Sequence, residues 1–234
     1  MNNKIIIALD FDNYDTAIRF VDLFLDPTKH AVKIGTNILF SGGNILHTLK
    51  LRKYEIMLDC KFFDTPDTVY RYCKQAASVR VDMITVHSMG LCDMLHAAVE
   101  GAHSMGKSPL VIAVTILTSM DEVYLRYNLN IQETVDDCLI QNSLEHLAQE
   151  TGCDGVVLHG TKLKEYKKEY SNMKTIVPGI RGTDDDNNCQ NVVVTPQYAL
   201  QNNADYIVVG RHVTASDDPR RRLLELEWAI EQYS

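Results

Sequence analysis

The chain has 234 residues, 45% of them hydrophobic, which is enough apolar material for one large core. A formal net charge of −8 gives nucleic-acid binding no global support and leaves an anionic small molecule open only where basic side chains gather locally. No stretch approaches the roughly 18 apolar residues of a membrane span. The six cysteines contain no CxxC pair, so neither a zinc site nor a disulfide framework is indicated, and a cytoplasmic protein with reduced thiols is the expectation.

Lys4 to Asp10 (KIIIALD) is a β-branched run that ends in an acid and predicts a first strand. It is too short for a secretory signal. Asn13 or Asp15 then caps a helix reaching about Leu25, which Asp26-Pro27 breaks. His30 to Gly35 predicts strand two, with Ala31, Lys33 and Gly35 on one face. A second helix covers Asn37 to Leu51, with Gly42-Gly43 as a break point. Tyr54 to Leu58 predicts strand three and Thr65 to Ser78 its helix. Val81 to His87 and a helix from about Cys92 to Met105 follow, then strand five at Pro109 to Thr115. A loop at Leu117 to Asp121 leads to a long helix from about Ile131 to Thr151, with Gly152 as its stop. Asp154 to Leu158, Lys174 to Val177 and Asp205 to Val209 complete the strands. Helices are predicted at Leu163 to Tyr170, at Thr195 to about Asn203, and from Asp217-Pro219 to about Gln232.

Eight β-α units in strict alternation imply a parallel sheet. The strands are mostly short, continuously apolar runs, as expected where both faces are covered. Eight units in this length match a single-domain (β/α)8 barrel over residues 1–234. An open doubly wound sheet is the alternative, and the absence of GxGxxG after strand one counts against its dinucleotide-binding form.

Barrel enzymes carry their chemistry at the C-terminal ends of the strands. The polar residues there are Asp10, Lys33, Asp59, Lys61, Asp64, His87, Ser88, Thr118, Ser119, His159, Arg181, Gln190 and Arg211. Asp59 and Lys61 are two residues apart and share a strand face. Two charges on one face of an apolar strand need a reason to be there. Asp64, with Pro66 in the first turn, is equally good helix-cap chemistry. His87 and His159 are ambiguous, since a strand-end histidine often only bonds a neighbouring loop. His47, His96, His103 and His146 fall in helices and default to the surface. Gly179 with Arg181, and Gly210 with Arg211, follow strands seven and eight, where this architecture usually holds phosphate. Glycine lets backbone N–H groups approach and arginine offers a bidentate fork. An alternating Lys33, Asp59, Lys61, Asp64 array keeps the lysines protonated. Such an array disfavours a substrate carboxylate beside an acid, which suits loss of CO2 and protonation of the carbon left behind. A Schiff-base lysine would want apolar surroundings instead.

The DxKxxD stretch with its following threonine (Asp59, Lys61, Asp64, Thr68) closely resembles the signature of the orotidine 5′-phosphate decarboxylase family. The resemblance runs along the chain through ALDFD, VKIGT, TVHS, VTILTSM, VPGIRG and VVGRHVT. It implies a homodimeric (β/α)8 barrel that converts orotidine 5′-monophosphate to UMP and CO2 without cofactor or metal. By motif, Lys61 is the proton donor, Asp59 lies beside the departing carboxylate, and Lys33 orients Asp59 and contacts the ribose. Asp10 binds near the ribose, while Asp64 and Thr68 reach into the neighbouring subunit's site. Thr118 and Ser119 contact the pyrimidine. Arg181, Gln190, Gly210 and Arg211 hold phosphate and close over the nucleotide. The chain departs from the usual pattern at Asp64 to Asp67, Cys189, His212 and Gly155 to Gly160.

Two rivals stand beside this reading. The related Mg2+-dependent sugar-phosphate enzymes, 3-keto-gulonate 6-phosphate decarboxylase and hexulose-phosphate synthase, carry Glu where this chain has Lys33. A non-catalytic phosphate-binding barrel would be expected to have lost a member of the charged array, and none is lost here.

Overall fold

The alternating units close into a (β/α)8 barrel. Strands β1 (Ile5–Ala8), β2 (His30–Gly35), β3 (Ile56–Phe62), β4 (Met83–His87), β5 (Leu110–Val114), β6 (Gly155–Val157), β7 (Lys174–Val177) and β8 (Tyr206–Val209) pair in parallel in chain order. The ring shuts where Ile5 of β1 lies opposite Ile207 of β8. The computed structural model describes residues 4–106, 108–117, 120, 139–181 and 194–233.

Period-two alternation divides every strand between two cores. Ile5, Ile7, Val32, Ile34, Ile56, Leu58, Ile84, Val111, Ile207 and Val209 face the helix layer. Ile6, Ala8, Ala31, Met57, Met83, Ile112, Ile176, Tyr206 and Val208 fill the barrel interior. The interior register has a gradient along the barrel axis. Followed upward in steps of two, it reads Ile6-Ala8-Asp10 at β1, Ala31-Lys33 at β2, Met57-Asp59-Lys61 at β3 and Met83-Thr85-His87 at β4. Apolar side chains plug the lower barrel and functional groups emerge at the mouth.

The helix Tyr14–Phe24 is capped by the Asn13 side chain, which accepts from the Thr16 N–H at 3.1 Å. The predicted second helix is two, Thr36–Leu39 and Ile45–Leu51, because Gly42 and Gly43 take φ of +89° and +72°, a turn that ends one helix before Asn44 caps the next. Of the predicted long helix, Leu139–Glu150 is described, and residues 131–138 lie outside the described residues. A short helix at Arg211–Thr214 after β8 was not predicted.

Two local expectations need correction. Strand three runs four residues further than its apolar run, to Phe62, so Asp59 and Lys61 sit within the strand. The N-cap of Pro66–Ser78 is Thr65, not Asp64, whose carboxylate instead accepts from the adjacent Thr65 N–H at 2.7 Å. That helix packs hard on the next, Leu91–His103. A Cβ on Gly101 would lie 2.3 Å from the Tyr70 carbonyl, so only glycine permits the approach.

Below the interior plug, three acids precede β4, β6 and β8 and tie each to the strand before it. Asp82 accepts from the Ile56 N–H at 2.8 Å, Asp154 from Val111 N–H at 2.7 Å, and Asp205 from Thr175 N–H at 3.0 Å. Each satisfies a strand-start N–H that the ladder leaves over.

Candidate active site

The gradient of the inward register brings four charged residues from three consecutive strands into one chain of contacts. Lys33 Nζ lies 3.0 Å from Asp10 Oδ1 and 3.3 Å from Asp59 Oδ2. Lys61 Nζ donates to the same Asp59 Oδ2 at 2.8 Å. Acid and base alternate as Asp10, Lys33, Asp59, Lys61. Asp59 and Lys33 are the least accessible members, with side chains 10% and 13% exposed against 64% for Asp10. Burial alone would raise the Asp59 pKa, yet the Lys33 and Lys61 charges and the bonds from Lys61 and Thr85 hold it below the usual carboxylate range. Burial opposes the charge on Lys33, and Asp59 and Asp10 more than offset that, so its pKa is raised. Asp59 and Lys33 are therefore both ionised at neutral pH.

Behind the array, His87 Nδ1 accepts from the Met89 N–H at 3.4 Å at the start of a 3-10 turn. Burial and the Lys61 charge push the imidazole pKa down, so His87 is neutral. This is the loop-bonding role that a strand-end histidine most often takes. His159 is also pushed down, by burial and then by Lys162, and does not line the cavity described next. His47, His96, His103 and His146 are exposed on helices.

The array forms one wall of a cavity of about 270 Å³ at the barrel mouth. Val114, Ile116, Val157, Ile176 and Val208 form the apolar wall and floor. Gly179 and Arg181 after β7, and Gly210 and Arg211 after β8, complete the rim. Gly179 takes φ of +75°, which glycine adopts without strain. A wider groove of about 770 Å³ lies on the outer helices around Trp228 and Arg221, but the inward registers do not lead to it. Among the described residues no group of three or more His, Cys, Asp or Glu side chains is arranged to hold a metal ion.

Asp10, Lys33, Asp59, Lys61, Arg181, Gly210 and Arg211 thus meet around one cavity. Asp64 and Thr68 stand apart from it within one chain. Asp64 contacts Thr65 and the Tyr72 hydroxyl, the latter at 3.5 Å, and the Thr68 hydroxyl pairs with that of Thr65 at 2.9 Å. Thr118, Ser119 and Gln190 lie outside the described residues. One residue given no role by the motifs, although it opens TVHS, is Thr85, fully buried on β4, whose hydroxyl lies 3.0 Å from Asp59 Oδ1. The available signal was its place in MITVH, two residues before His87 and so on the inward face.

A closed parallel barrel with alternating acids and lysines on its first three strands, and glycine-arginine pairs after its last two, defines a barrel enzyme site. Residues 3–226 match the family model described as the Orotidine 5'-phosphate decarboxylase / HUMPS family, and the chain belongs to that family. It is 40% identical over 222 residues to the Orotidine 5'-phosphate decarboxylase of Legionella pneumophila (strain Paris), covering 94% of this chain and 95% of that one. It is 36% identical over 233 residues to the enzyme so named from Actinobacillus pleuropneumoniae serotype 5b, covering 98% and 100%. The fold superposes with TM-score 0.85 on the crystal structure of Orotidine 5'-phosphate decarboxylase from Lactobacillus acidophilus, at 28% identity over 97% of this chain and 99% of that one.

Proposed function

We propose that the protein is a carboxy-lyase that converts orotidine 5′-monophosphate to UMP and CO2, as the last step of de novo pyrimidine synthesis, with residues 1–234 acting as one catalytic barrel in the cytoplasm. The observation that carries this reading is the Asp10–Lys33–Asp59–Lys61 chain at a barrel mouth, in a member of this family. A substrate carboxylate bound beside ionised Asp59 is disfavoured electrostatically, and that repulsion is relieved as CO2 leaves. The electron pair of the broken bond stays on the ring carbon. The Lys61 ammonium, held 2.8 Å from Asp59 Oδ2, stabilises the developing charge and delivers the proton. Lys33 keeps Asp59 charged and fixes its orientation. Arg211, with Gly210, Arg181 and Gln190, takes the phosphate. Thr118 and Ser119 take the pyrimidine. No metal or organic cofactor enters this scheme.

Asp64 and Thr68 serve the neighbouring subunit of a homodimer. Asp64 is exposed just before the Pro66–Ser78 helix and Thr68 half-buried in its first turn, and Phe63 and Tyr72 exposed beside them support a face covered by a second copy. The Mg2+-dependent sugar-phosphate relatives are the second reading, since the matching model spans both groups. Lys33 separates them, because an ammonium stands where a metal-supporting carboxylate would be needed. The test is turnover of orotidine 5′-monophosphate, followed by loss of absorbance, with a metal chelator present. Turnover unaffected by the chelator is the expected result, and no turnover, or turnover abolished by the chelator, would overturn the assignment.

A further inference from the structure

We propose that Thr85 is a positioning residue for the reaction, whose single hydroxyl sets both the orientation of the Asp59 carboxylate and the backbone that presents Lys61. The proposal rests on the decarboxylase reading above and adds to it a residue of β4. The ladder between β3 and β4 is regular at Met57 opposite Met83 and Leu58 opposite Ile84, and it resumes at Phe62 opposite Val86. Between those pairs β3 carries Asp59, Cys60 and Lys61 where β4 carries Thr85 alone. Three residues opposite one make a bulge, which re-aims side chains and removes ladder hydrogen bonds. Lys61 pays for it with φ of +45°, a left-handed backbone that a long side chain rarely adopts.

Thr85 fills the gap. Its Oγ1 accepts from the Lys61 N–H at 2.9 Å, satisfying a donor that the broken ladder leaves over. The same oxygen lies 3.0 Å from Asp59 Oδ1, where its one proton is donated, while the Leu58 carbonyl at 3.5 Å is a poorer acceptor. Asp59 Oδ2 is taken by Lys33 and Lys61, so Thr85 is the hydroxyl that fixes the other carboxylate oxygen. The side chain is fully buried, which fixes its rotamer and excludes water as a substitute. Among the described residues the charged and titratable groups around Asp59 are Lys33 from β2, Lys61 on its own strand, Asp10 from β1 beyond Lys33, and the adjacent Cys60, whose thiol pKa is pushed up to about 11 by burial and the Asp59 charge. His87, the next inward residue on β4, is occupied by the Met89 N–H.

Thr85→Val keeps the shape and removes the hydroxyl, and Thr85→Ser keeps the hydroxyl. The expected result for Thr85→Val is a kcat lower by about ten- to a hundred-fold, the size of one hydrogen bond to a charged group, with KM within about three-fold of wild type. Its acid limb of kcat/KM moves to higher pH, because a bond that favoured the ionised carboxylate is gone. Thr85→Ser restores kcat to within about three-fold of wild type. A Thr85→Val enzyme with wild-type kcat and an unmoved acid limb would overturn the proposal. So would a Thr85→Ser enzyme as impaired as Thr85→Val, since packing of the methyl group would then be what matters. If Thr85→Val does not fold, Thr85→Ala replaces it in both comparisons. Carboxyl NMR of Asp59 supplies a readout independent of turnover, with its titration midpoint expected to rise in Thr85→Val. Absence of wild-type turnover would sink the decarboxylase reading alone, whereas an unmoved Asp59 midpoint would sink the positioning role.

Discussion

The mouth and the floor of the barrel contain the same residue types for opposite purposes. At the mouth, Asp59 sits between Lys33 and Lys61, with Thr85 as a fourth partner. At the floor, Asp205 sits between Lys167 at 2.6 Å and Lys174 at 3.0 Å, with the Thr175 hydroxyl at 3.1 Å. The difference lies in what else each acid holds. Asp205 accepts the Thr175 N–H, as Asp82 and Asp154 accept N–H groups of β3 and β5, so the floor acids complete the sheet. Among the described residues the Asp59 carboxylate bonds only side chains, Lys33 and Lys61 lining the cavity and Thr85 buried behind it. A carboxylate tied to backbone is part of the scaffold, and one tied to other side chains at a strand's C-terminal end is available to a ligand. Acids and lysines in themselves carry no function; their place along the barrel axis decides it.

The sharpest way to break this comparison is to remove one lysine from each cluster. Lys61→Ala is expected to lower kcat for orotidine 5′-monophosphate by at least about a thousand-fold, within the range for loss of a positioned proton donor. Lys167→Ala at the floor should leave kcat near wild type and lower the melting temperature instead. Steady-state kinetics and thermal unfolding of the two variants decide the matter. Comparable losses of kcat in both would show that the two clusters do not divide the work as described.

Much of this division was legible in the sequence because strand parity is a local rule. Asp59 and Lys61 could be placed on one face from their spacing, and Lys33 from its position between Ala31 and Gly35. The ends of strands seven and eight identified Arg181 and Arg211 by architecture alone. What escaped depends on partners distant in sequence. The bulge that carries β3 on to Phe62 exists because Thr85, 24 residues further along than Lys61, takes the Lys61 N–H. Nothing in LDCKFF announces a positive φ at lysine. The cap expectation at Asp64 failed by one residue because Pro66 takes the first helical position and leaves Thr65 as the residue before it, although the Thr65 side chain makes no capping bond. The backbone-binding role of Asp82, Asp154 and Asp205 was also invisible, since each acid falls at or near the start of a predicted strand and nothing local shows its bond to the strand before it.

A second contrast is that the floor is complete within one chain, whereas the mouth is proposed to need two. Asp59→Ala and Asp64→Ala are each expected to be inactive alone. Mixed under conditions that exchange subunits, they should recover on the order of a quarter of wild-type activity, since half of randomly formed two-fold dimers are hybrids with one intact site. Size-exclusion chromatography and native mass spectrometry of tagged chains establish that hybrids have formed. Hybrids without activity would place Asp64 in its own subunit's site or in none.

The smallest expected effect concerns the floor alone. Burial raises the Asp205 pKa, but the bonds from Lys167, Lys174 and the Thr175 N–H outweigh it, so the folded-state value lies below that of the unfolded chain. A depressed carboxylate pKa contributes stability that is fully present above the unfolded value, about 4, and is lost as pH falls through the folded one. Asp205→Asn keeps an acceptor for the Thr175 N–H but removes the charge. It should therefore cost about 1–2 kcal/mol of unfolding free energy at pH 7 without altering kcat. The gap between wild type and variant should stay constant from pH 5 to pH 8, within rough error, and narrow below about pH 4 as the wild-type carboxylate protonates. Urea unfolding across that range measures it. A gap that persists unchanged at pH 3 would mean that Asp205 stabilises the floor by hydrogen bonding alone, leaving charge as a property the barrel uses only at its mouth.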